Sequence, residues 1–103
     1  MSETKFTPGP WHANKPSESN GWWEVHGKKE VCTCYIGDVE ANAELIAAAP
    51  EMYACLCKLV DWNNKYPSNK DYNNYSQIVH IGNLCNAICK EAEAILKKAR
   101  GEE

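Results

Sequence analysis

The run Trp22-Trp23-Glu24-Val25-His26-Gly27-Lys28-Lys29-Glu30-Val31-Cys32-Thr33-Cys34-Tyr35-Ile36 decides the fold. It alternates on both sides of Gly27-Lys28-Lys29, a tight turn by content. This predicts strands over Trp22–His26 and Glu30–Ile36. Side chains two apart share a face of a strand. Trp23 and Val25 therefore fall on one face, and Trp22, Glu24 and His26 on the other. In the second strand Cys32, Cys34 and Ile36 alternate with Val31, Thr33 and Tyr35, and the Cys/Ile face is expected inward. Upstream, Pro8 and Pro10 stiffen the chain ahead of Trp11. Trp11–Lys15 suits a first strand, and Pro16–Gly21 is loop by composition. The result is a three-stranded antiparallel meander over about 10–36, one face of which needs a cover.

Near residue 38 the composition turns to Ala, Leu, Ile, Glu and Lys in helical spacing. Asp38 is positioned as an N-cap and Glu40 suits the first turn of a helix over 39–49, whose stripe is Val39, Ala43, Ile46 and Ala47. Pro50 interrupts it and suits the first turn of a second helix over 50–62, with Met52, Leu56, Leu59 and Val60 as its stripe. A polar Asn/Tyr-rich loop follows. The last helix, 74–100, carries Ile78, Ile81, Cys85, Ile88, Ala92, Ile95 and Ala99 as a heptad seam, and Gly101 ends it. The fold class is α+β: a sheet covered by two to three helices. One domain is expected over 1–103, with 1–38 as sheet region and 39–103 as helical region. The second helix is too short to cover the seam. One stripe should cover the sheet, while the Ile88–Ala99 half of the seam pairs with a second copy in a homodimer or higher symmetric oligomer.

Composition excludes several classes. The net charge is -3, and ten Lys stand beside a single Arg, Arg100, which argues against duplex nucleic acid as a partner. No apolar run approaches the roughly 18 residues of a membrane span, so no membrane partner is expected. The opening Met1-Ser2-Glu3-Thr4-Lys5 lacks a secretory apolar stretch, so we expect the cytoplasm. The cysteines fall as Cys32-x-Cys34, Cys55-x-Cys57 and Cys85-x3-Cys89, inside apolar patterns rather than chelating loops. They are expected to be free and packed as small hydrophobes, with no bound zinc and no cofactor. His12, His26 and His80 are scattered, and with Glu24 and Glu44 they show no helical metal-binding or acid–base spacing. No nucleophile elbow, phosphate loop or dinucleotide fingerprint appears, so a non-enzymatic protein is expected.

Two blocks carry a resemblance: Phe6-Thr7-Pro8-Gly9-Pro10-Trp11, and Ala41-Asn42-Ala43-Glu44-Leu45-Ile46-Ala47-Ala48-Ala49-Pro50-Glu51-Met52. With this order and spacing the chain resembles a group of small phage and prophage proteins that open with a Gly-Pro-Trp turn and carry an Ala-Asn-Ala-x-Leu-Ile-Ala-Ala-Ala-Pro-Glu helix. The resemblance implies a phage source and a working place in the infected bacterial cytoplasm. In layout the chain is also similar to anti-Thoeris sponges, which trap nucleotide immune signals without cleaving them. That likeness implies a phage-encoded binding protein that counters host defence by sequestering a small nucleotide. Such a site needs aromatic faces for a base, and amides or cations for ribose and phosphate. Trp11, Trp22, Tyr72 and Tyr75 are the aromatic candidates, Asn42 the amide and Arg100 the cation. The alternative is an inhibitor that blocks a host enzyme by direct contact, using exposed aromatics and the acidic run Asp38, Glu40, Glu44 and Glu51, in which no Lys or Arg intervenes.

Overall fold

A computed structural model describes residues 5–67, 72 and 74–102. Three strands, β1 (His12–Asn14), β2 (Trp23–His26) and β3 (Glu30–Cys34), form an antiparallel sheet in the order β1-β2-β3. Three helices follow: α1 (Val39–Ala47), α2 (Ala49–Lys65) and α3 (Tyr75–Ala99). This is the expected α+β meander with helices, its strands a little shorter than expected.

The inner face carries Val25, which lies opposite Ala13 on β1 and Cys32 on β3, with Trp23 opposite Cys34. The expected inward placement of Cys32 and Cys34 holds, but Ile36 lies beyond the strand and is 88% exposed. The sheet's cover is α1. Ala43 and Ala47 are buried against Val25 and Trp11, and Ile46 packs at their edge. Small side chains let the helix axis approach the sheet closely, so the core is built from Trp11 and methyl groups. Asp38 occupies the N-cap position of α1, but its side chain makes no capping bond.

Pro50 separates α1 from α2 as expected. It has no N–H to give to a carbonyl one turn earlier, and it sits in the first turn of α2, where that donor is not needed. Asn74 caps α3, its side chain accepting from the Gln77 amide at 3.2 Å. Gly101, at φ +72°, ends α3 in the left-handed conformation that favours glycine.

α2 and α3 run antiparallel as a hairpin. Trp62 Nε1 donates to the Ile81 carbonyl at one end, and Lys98 reaches Glu51 at the other. The molecule is long: 61 × 29 × 19 Å, with a radius of gyration of 17.9 Å. A compact chain of about 100 residues has a radius near 13 Å. No residue of α3 is fully buried among those described.

Candidate functional site

The two sequence blocks meet in space. Gly9 lies against Pro50, and a β-carbon on Gly9 would fall 2.7 Å from the Pro50 Cβ. Trp11 beside it is 9% exposed, and its indole Nε1 donates to the Thr7 carbonyl at 3.0 Å. Gly27 leaves room for that indole; a β-carbon there would be 2.9 Å from Trp11 Cδ1. Lys98 then ties α3 to both blocks, donating to the Trp11 carbonyl at 3.2 Å and to Glu51 Oε1 at 2.9 Å. The other Glu51 oxygen is buried without a hydrogen-bond partner. Glu51 of the acidic run is thus compensated by a lysine 47 residues away, contrary to the local reading of that run.

The six expected ligand contacts are spread through the molecule. Trp11 fills the core, with its indole N–H already used. Trp22 sits half-buried on the outer face of the sheet, its ring 6.5 Å from that of Tyr35. Asn42 is exposed on α1, near Gly37. Tyr72 donates its hydroxyl to the Pro67 carbonyl in the loop before α3. Tyr75 opens α3 and is 81% exposed, whereas Arg100 follows its last residue. A helix rises 1.5 Å per residue, so these two stand roughly 37 Å apart. Arg100 donates to Glu102 at 3.0 Å and shares a shallow groove with Asp38, Glu40 and Glu44. That is an acidic setting for a cation meant to hold phosphate.

A different constellation forms on the outer face of the sheet. Glu24 Oε1 and His26 Nε2 are 2.7 Å apart, and Trp22 Nε1 donates to Glu24 Oε2 at 3.2 Å. These bonds, that from His26 first, hold the Glu24 carboxyl below its ordinary pKa. Glu30 joins them, its carboxylate accepting from Thr33 Oγ1. One ligand atom from each of Glu24, His26 and Glu30 lies within 4.8 Å of the others. Alternation places Glu30 on the same face as Cys32. The pairing slips between Val25 and His26, however, so His26 is opposite Glu30 while Val25 is opposite Cys32. The extra residue, Val31, packs toward the core, and Glu30 is turned outward to join His26.

A profile of the family described as Salmonella phage P22 protein Y8K6 matches residues 1–103, the full length of the chain. The chain belongs to this family. It is a small phage protein, as the two sequence blocks imply. No curated protein and no solved structure matches it at a significant level. No helix of the described residues is long and apolar enough to cross a membrane.

Most of the exposed large hydrophobic side chains among the described residues lie on the helical hairpin of this phage protein. In the stripe Met52, Leu56, Leu59 and Val60, Leu56 is 61% exposed, and Leu59 and Val60 are exposed as well. The residues of α2 that face α3 are Glu51, Cys55, Lys58 and Trp62. At 100° per residue the apolar stripe points about 115° away from them. The seam half Ile88, Ala92, Ile95 and Ala99, expected to lie open, is half-buried instead, because α1 as well as α2 packs on that end of α3. The exposed apolar residues of α3 include Ile78 at the start of the seam and Cys89 and Leu96 beside it, around half-buried Cys85 and Ala92, with Tyr75 and Val79 exposed as well. The Cys85 thiol first, then burial and the nearby Glu93 carboxylate, push the Cys89 thiol above its ordinary pKa. Met52, Leu56 and Leu59 on α2 and Ile78, Cys85, Cys89, Ala92 and Leu96 on α3 are the apolar flanks of the hairpin, with Cys55 buried in α2. All six cysteines are free thiols, Cys55 buried and Cys89 exposed.

Proposed function

We propose that this protein is a non-enzymatic binding protein of the phage, that it works as a homodimer joined along the α2–α3 face, and that it counters host defence by contacting a host protein directly. The observation that carries the dimer is the face itself. It runs along the hairpin, is mainly apolar with Glu93 beside Cys89 at its edge, and belongs to a chain nearly 5 Å larger in radius than a compact one. A two-fold partner places the same surface against itself. With Glu93 at its edge rather than its centre, the face sets apolar side chains against apolar side chains, and two hairpins close into a four-helix bundle. The charged residues of the hairpin, among them Lys58, Asp61, Lys65 and Glu91, line the opposite groove and stay in water.

Direct contact is favoured over nucleotide sequestration by where Arg100 sits. Its guanidinium is paired with Glu102 among three further carboxylates, a setting that suits a basic protein surface better than a phosphate. The non-enzymatic reading rests on the lack of a catalytic motif in the sequence, and the working place remains the infected cytoplasm. Calorimetry of the purified protein against cyclic and ADP-ribose-type nucleotides tests the choice. No binding heat is expected, and stoichiometric binding of any one of them overturns the direct-contact reading in favour of sequestration. A Leu56→Glu, Leu96→Glu double variant tests the dimer. It should run as a folded monomer, since a carboxylate facing an apolar partner is left without a hydrogen bond.

A further inference from the structure

We propose that Glu24, His26 and Glu30, with His12 as a fourth donor, form a binding site for one divalent cation of the zinc, cobalt or nickel kind on the outer face of the sheet. The donor chemistry suits such ions: one or two imidazoles with two carboxylates, all nitrogen and oxygen ligands. Three of the ligand atoms already lie within 4.8 Å of one another. Ligands held about 2.1 Å from a tetrahedral ion are about 3.4 Å apart, so side-chain rotation of about an ångström closes the site.

The fourth donor comes from an independent feature. The β1–β2 register sets His12 directly opposite His26. Paired residues of neighbouring strands project to the same side, so the two imidazoles share the outer face. The irregularity at Val31 is a further sign of a built site. It gives up one regular pairing and turns Glu30 from the inner to the outer face, and bulges of this kind re-aim side chains next to functional sites. Trp22 and Thr33 hold the two carboxylates from behind, through bonds to Glu24 Oε2 and Glu30 Oε2. The ion would replace the hydrogen bond between His26 Nε2 and Glu24 Oε1. A neutral imidazole then carries its proton on Nδ1 and gives the Nε2 lone pair to the metal, so no redox change and no further reactant are involved.

Co2+ is the probe of choice, because its absorption spectrum separates this site from the six thiols. Titrated into the reduced full-length protein, it should bind one ion per chain, with visible d–d bands and without the near-ultraviolet charge-transfer band of thiolate ligation. Glu24→Gln and His26→Ala, each checked for native circular dichroism, should weaken binding at least about ten-fold, as should His12→Ala. Cys32→Ser should leave it unchanged. The proposal is overturned by no binding at high micromolar Co2+, by a thiolate band that accounts for the bound ion, or by folded Glu24→Gln and His26→Ala proteins that bind as tightly as the parent chain. If His12→Ala alone has no effect, the four-donor form is overturned and the ion rests on three.

Discussion

Around Trp11, the N-terminal turn, the sheet, α1 and the ends of α2 and α3 close on one another, and Val25, Ala43, Ala47 and Ala48 are almost entirely withdrawn from water. Along the α2–α3 hairpin the balance is reversed: α3 buries nothing fully, and the best apolar stripe of α2 faces outward. Both regions are apolar in sequence. What separates them is cross-linking by chain connectivity. Near Trp11 six elements converge within a short distance, so each apolar group finds cover in the same chain. The hairpin projects beyond that knot, and two helices alone cannot cover each other's flanks. The first region is closed within one chain, and the second leaves apolar side chains open, the surface on which the proposed second copy would pack.

The strongest way to break this contrast is to damage the closed region. Trp11→Ala removes the largest side chain of the core and should cost about 3–5 kcal/mol, a large share of the 5–15 kcal/mol typical of a whole domain. Chemical denaturation should show a large fall in midpoint, whereas Leu59→Ala, on the open face, should shift it little under conditions where the protein is monomeric.

Gly9→Ala sharpens the comparison at a single methyl group. The added carbon meets the rigid Pro50 ring at 2.7 Å, so the two sequence blocks must part or strain. A loss of about 1–3 kcal/mol is expected from such overpacking. A thermal midpoint equal to that of the parent would mean that the junction between the blocks is soft.

Lys98→Met asks what holds the closed region to the base of the hairpin. The Lys98 side chain is 16% exposed, and its ammonium serves both Glu51 and the Trp11 carbonyl. Its removal leaves a carboxylate that already has one buried unpartnered oxygen, and should cost about 2–3 kcal/mol. The double variant Lys98→Met, Glu51→Gln should recover part of that loss in denaturation experiments.

Much of this was legible in the residues. Pro50 and Gly101 are local signals, and the helix ends fall close to them. The alternation of Trp23, Val25, Cys32 and Cys34 gave the inner face correctly. Ile36 did not follow it because the strand ends at Cys34, before the turn into α1. The position of Glu30 was hidden because a bulge breaks the two-residue period on which the reading depends, and His12, Glu24 and His26 come together only through cross-strand register. The orientation of the α2 stripe was hidden for another reason: periodicity says which residues share a face, and nothing of what that face meets. The Arg100 setting depends on α1 and the end of α3 lying side by side, a long-range placement with no local signature.

The smallest effect belongs to the exposed edge of the hairpin. Lys58 and Glu91 pair at 2.7 Å, and the hydrogen bond to Glu91 raises the Lys58 pKa above its ordinary value. A group whose pKa is raised on folding stabilises the protein below its unfolded value, and that contribution is lost as the pH climbs through the folded one. Stability should therefore drop slightly more in the parent chain than in Lys58→Met as the pH climbs above the ordinary lysine range, and high salt should narrow the difference at neutral pH.

The central claim is that the hairpin face is closed by a second copy. Light scattering on the reduced protein, from low to high micromolar concentration, measures this directly. The account predicts a mass of twice 11.6 kDa at the upper end, and a folded 11.6 kDa species for the Leu56→Glu, Leu96→Glu variant. A parent chain that stays at 11.6 kDa throughout, with its native helical content, would contradict it.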